Sequence, residues 1–135
     1  MEIQSFILCK TLEKSGKGNQ WDAQHICIHS FYSLDGRYPL KFKMPYYVLL
    51  RREQRMSDTR FSIRFNLVNE DGKKIGQPYN FVAAGVFPNG FRFMSLEGTI
   101  EFEFPKIGDY RLDITSDENI FPTKYHYNIE VTEKP

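Results

Sequence analysis

Seven residues, Phe61-Ser62-Ile63-Arg64-Phe65-Asn66-Leu67, carry a large apolar side chain at every second position. A period of two belongs to a strand with one face buried, because successive side chains point to opposite sides of a sheet. The same period recurs in Leu40-Lys41-Phe42-Lys43-Met44 and in Ile100, Phe102 and Phe104 set against Glu101 and Glu103. It returns in Tyr110, Leu112 and Ile114, and again in Tyr125, Tyr127, Ile129 and Val131. Residues 3–10 and 24–32 read as two earlier strands, the second with Ile26, Ile28 and Ser30 on one face and His25, Cys27 and His29 on the other. Tyr46 to Leu50 is a continuous apolar run that suits a central strand. Gly72 in Asn69-Glu70-Asp71-Gly72 can take positive φ, so a turn follows residue 68. No segment holds a capped 3.6-residue stripe, and Arg51 to Asp58 reads as a polar connection. Aromatic residues make up 16% of the chain, which favours pleated, half-buried surfaces. The expectation is an all-β, immunoglobulin-like antiparallel β-sandwich of about 7–9 strands with little helix.

At 135 residues the chain is one domain, 1–135, large enough to bury about two-thirds of its unfolded surface in a single core. The formal net charge of +1 argues against a nucleic-acid binder that works through a domain-wide positive excess. Phe6-Ile7-Leu8-Cys9 is too short for a secretory core, and no apolar run approaches a membrane span. The expected compartment is therefore the cytoplasm, with no membrane partner and with Cys9 and Cys27 as reduced thiols.

One local motif sharpens the fold. Gly108-Asp109-Tyr110-Arg111-Leu112 has the Gly-x-Tyr-x-apolar form found at the corner entering the sixth strand of immunoglobulin-like domains, where the tyrosine hydroxyl bonds back to the preceding loop. Further features are Cys9 with Gly16-Lys17 after it, Pro39, Leu49-Leu50-Arg51, Phe61 to Leu67 leading into Glu70-Asp71-Gly72-Lys73, and Ile114 beyond Leu112. Together, over residues 3–131, the chain resembles a bacterial family of small, uncharacterised β-sandwich proteins known as a domain of unknown function. The resemblance implies an immunoglobulin-like sandwich and carries over no catalytic residue, so function has to be argued from sites.

His25-Ile26-Cys27-Ile28-His29 is the densest chemistry in the chain. Residues two apart on a strand share a face at about 6.5–7 Å, so His25 with Cys27, or Cys27 with His29, suits a shared metal, with Cys9 or His126 as a further ligand. The spacing matches no CxxC pair and no helical HxxxH, so an ordinary sheet face is the preferred reading, and no cofactor is expected. A Cys27 nucleophile would need a base and an orienting carboxylate that side chains parallel on one strand do not provide.

Charge is segregated along the chain. Residues 37–64 carry a net +6 and residues 95–135 a net −5. The basic segment 41–64, with Arg51, Arg52 and Arg55 beside Tyr47, suits a nucleic-acid or polyanion binder. Pairing within the sheet, with Arg51 and Arg64 facing Asp109, Asp113 or Glu130, is the favoured alternative. Val86, Phe87 and Phe91, gathered around Pro88-Asn89-Gly90, form a hydrophobic loop of the kind that marks interaction surfaces. These features lead to one expectation: a non-enzymatic protein-interaction module that self-associates or docks a protein partner. The alternatives are a metal- or small-ligand-binding protein and a polyanion binder.

Overall fold

Among the described residues nine strands follow in order: β1 (Glu2–Lys14), β2 (Trp21–Ile26), β3 (Ser30–Tyr32), β4 (Leu40–Arg51), β5 (Thr59–Val68), β6 (Phe81–Phe87), β7 (Phe93–Phe104), β8 (Gly108–Ser116) and β9 (Tyr125–Thr132). This computed structural model describes residues 2–14, 16, 21–26, 28–52, 59–75, 81–116 and 125–135. The strands form a four-stranded sheet in the order β2-β1-β4-β7 and a five-stranded sheet in the order β3-β9-β8-β5-β6. All neighbours are antiparallel except β3, which runs parallel to β9. The chain is thus an all-β sandwich, as the alternation predicts.

The inward rows meet as one core. Phe6 lies 5.9 Å from Phe65 and 5.3 Å from Tyr127, ring centre to ring centre, joining β1 to the opposite sheet. Phe31, Phe104 and Tyr110 form a second aromatic cluster, with Phe104 5.3 Å from Phe31 and 5.0 Å from Tyr110. Such pairs add about 0.5–1.5 kcal/mol each beyond the area they bury. Gly98 sits opposite Tyr46 in the β4–β7 ladder, and a Cβ there would stand 2.8 Å from the tyrosine oxygen. The corner motif is present: the Tyr110 hydroxyl donates to the Lys106 carbonyl at 2.6 Å and accepts from the Lys106 N–H at 3.3 Å.

One expectation changes, and one strand runs longer than its pattern marks. Residues 24–32 do not form one strand, because β2 stays beside β1 while β3 crosses to pair with β9. The alternating segment Leu40 to Met44 and the apolar run Tyr46 to Leu50 are one strand, β4, with Pro45 inside it opposite Thr99. The reason is positional. The Cys9 thiol donates to the Pro45 carbonyl at 3.7 Å, so that carbonyl faces the β1 side. The N and O of one strand residue point the same way, so the missing N–H falls on that side too, one residue past the last β1 partner, Tyr46. The polar connection expected over 51–58 lies, from residue 53 on, outside the described residues.

Candidate functional site

At the end of β4 the chain buries a guanidinium. Arg52 is 5% exposed. Its Nε donates to the Phe91 carbonyl at 2.8 Å and one terminal nitrogen to the Pro88 carbonyl at 2.6 Å. Its backbone N–H donates to the Arg92 carbonyl at 2.8 Å, and its guanidinium carbon sits 4.4 Å from the centre of the Phe87 ring. A planar fork of donors suits turn carbonyls that no ladder can reach, and its weak hydration suits an aromatic face. The turn it grips closes with Phe91 N–H to the Pro88 carbonyl at 3.2 Å and places Gly90 at φ +83°, open to glycine without strain. Outside that frame Phe91 is 57% exposed and Phe93 51%, with Val86 on the adjoining strand also exposed.

Phe87 corrects the sequence reading. It is fully buried, 6.2 Å from Phe61 and beneath Arg52, so it belongs to the core and not to a partner surface. The buried phase of β6 falls on Phe87, and alternation leaves Val86 outside. Phe93, not among the loop residues singled out from the sequence, is the first residue of β7, which begins before the alternation of Ile100, Phe102 and Phe104.

Two of the basic residues, Arg51 and Arg52, are engaged within the fold. Arg51 meets Glu2 at 2.8 Å on the adjoining strand, in place of the expected Asp109, Asp113 or Glu130. Arg52 is held as described, and Arg64 stands opposite Thr115. Lys41 and Lys43 lie opposite Glu103 and Glu101 on the outward face of the four-stranded sheet, where Tyr47 is half-buried. Arg55 lies outside the described residues.

The metal candidates separate. Cys9 is buried opposite Ile26, and burial pushes its thiol pKa up. His25 is exposed, at φ +53°, whereas Cys9 is fully buried. Cys27 lies outside the described residues. His126 is on the other sheet, its Nδ1 2.6 Å from Asp113. Among the described residues no group of three His, Cys, Asp or Glu is placed to hold a metal ion.

Two features were not anticipated. On the outward face of the five-stranded sheet, Asp113 is only 7% exposed and takes both a two-point contact from Arg111 (2.6 and 3.0 Å) and the His126 ring. Burial alone pushes its carboxyl up, but the bonds and charges of Arg111 and His126 outweigh that and hold it below the usual range. Period two marks Asp113 as outward and cannot show that its neighbours close over it. The second feature is a groove of about 420 Å³ lined by Lys10, Ile28, Ser30, Phe31, Tyr32, Leu34, Phe42, Lys43 and Met44. Pro45 was its available signal, since a proline inside a strand marks an edge.

No family model and no curated protein matches the chain. Among solved structures, a family 123 glycoside hydrolase from Clostridium perfringens, described for glycolipid glycan hydrolysis, aligns at 13% identity and a TM-score of 0.36. The alignment covers 78% of this chain and 23% of that one. A likeness this slight transfers neither fold nor chemistry. Among the described residues no helix is long and apolar enough to cross a membrane.

Proposed function

We propose that this chain is a non-enzymatic interaction module that docks a protein partner on the turn from Pro88 to Phe93. One observation carries the reading: a buried arginine ties down two carbonyls of the turn while Phe91 and Phe93 remain more than half exposed. Rigid aromatic anchors lose little freedom on binding and dominate the energetics of interfaces. The acid–imidazole pair of Asp113 and His126 fits the same reading, because Arg111 ties its carboxylate down on the outward face of the sheet.

The test places a photo-crosslinking aromatic amino acid at position 91 in cells of the native host. The expected result is a discrete protein adduct that disappears when Phe93→Ser is added, with folding stability unchanged within about 0.5 kcal/mol. An adduct pattern that Phe93→Ser leaves intact, or none at all, sinks the proposal.

A further inference from the structure

The groove beside β3 and β4 is walled by two strand edges, one from each sheet. We propose that it is a second binding site, separate from the Pro88–Phe93 turn, which receives an extended peptide whose large apolar residues alternate with acidic ones. Three observations converge on that occupant.

The first is the backbone of β4. This strand pairs with β7 along its full length, Leu40 to Arg51, but with β1 only from Tyr46 onward. Pro45 turns its carbonyl towards Cys9. Lys43 and Lys41, two and four residues earlier, turn their N–H and C=O groups the same way, where β1 no longer runs alongside. Among the described residues no strand pairs with that half of β4 on that side.

The second is the facing wall. The His29 carbonyl accepts from the Glu130 N–H at 2.8 Å, so the neighbouring Ser30 and Tyr32 direct their backbone groups away from β9, at the outer edge of the five-stranded sheet. Backbone groups along a free edge are a template for an added strand.

The third is the lining. Phe31 and Met44 are buried, Ile28 and Phe42 half-buried, and Leu34 is 75% exposed at the mouth. The groove's volume falls within the usual range of binding pockets. Its charged residues are Lys10 and Lys43, both exposed, which select carboxylates. The same lysines repel a second copy of this basic edge. A fatty acid would satisfy the apolar lining and the lysines but leave the backbone groups of both edges unmet. An extended acidic–apolar peptide meets all three.

The experiment pans a random-peptide display library on the intact protein and on a Lys10→Glu, Leu34→Glu double variant, both substitutions being at exposed positions. An enriched sequence is then synthesised with and without N-methyl groups at alternate residues. The expected winners alternate apolar and acidic residues, bind the double variant at least about tenfold more weakly, and lose binding on N-methylation. In the wild type they shift the amide resonances of Ser30, Tyr32, Lys41 and Lys43, and they bind a Phe91→Ser protein unchanged. Four results overturn the proposal: no enrichment, winners without that alternation, an N-methylated peptide that binds as well as its parent, or dodecanoate shifting these amides where the peptides do not.

Discussion

Two turns of this molecule are each closed by one side chain reaching back to main-chain carbonyls, and they do opposite things. At the corner before β8, Tyr110 grips Lys106 from four residues along the chain, inside β8, and its ring packs on Phe104, so the clamp is itself core. At Pro88–Arg92 the grip comes from Arg52, 36 residues from the nearer carbonyl it binds, and the rings at Phe91 and Phe93 stay in solvent. The first device closes the sandwich and buries what it holds. The second orders a segment without covering it, and order without cover is what a docking surface requires.

Substitutions rank the two devices. Phe87→Ala has the largest expected effect, a loss of about 3–5 kcal/mol in urea unfolding, because it opens a core cavity and removes the face under the guanidinium. Arg52→Met follows at about 2–4 kcal/mol, with loss of partner adducts at position 91. Tyr110→Phe costs about 1–2 kcal/mol and leaves those adducts intact. If Arg52→Met leaves the adducts in place, the contrast between the turns collapses to a difference in sequence distance.

Asp113→Asn, on a face that neither turn touches, sets the baseline at about 1 kcal/mol near neutral pH, since its partners are themselves half-exposed. Its carboxyl pKa is lower folded than unfolded, so its contribution is complete above the unfolded value of about 3.9 and is lost as pH falls through the lower folded value. The wild type should therefore lose its advantage over Asp113→Asn below about pH 4. Urea midpoints measured against pH check this, and a pH-independent gap would contradict it.

What could be read from the chain followed how local the physics is. The alternating rows gave the strands their buried faces, and Gly-x-Tyr foretold the corner, because both depend on neighbours a few residues apart. The exposed turn was recognised as apolar, but which ring it shows depends on the phase of β6 and on Arg52, a partner far away in sequence. Arg52 itself looked like one cation of a basic run. Its burial is decided by carbonyls that composition does not reveal. The splitting of residues 24–32 between two sheets was equally hidden, since either sheet satisfies the same alternation.

The half-paired course of β4 gives its amides two lifetimes in deuterated water. From Tyr46 to Leu50 the strand has neighbours on both sides, so successive N–H groups should exchange slowly alike. From Leu40 to Met44 they should alternate, Phe42 and Met44 slow against β7 while Lys41 and Lys43 exchange quickly. A saw-tooth in exchange rate along one half of a single strand would thus read out, residue by residue, where the sheet has come unzipped.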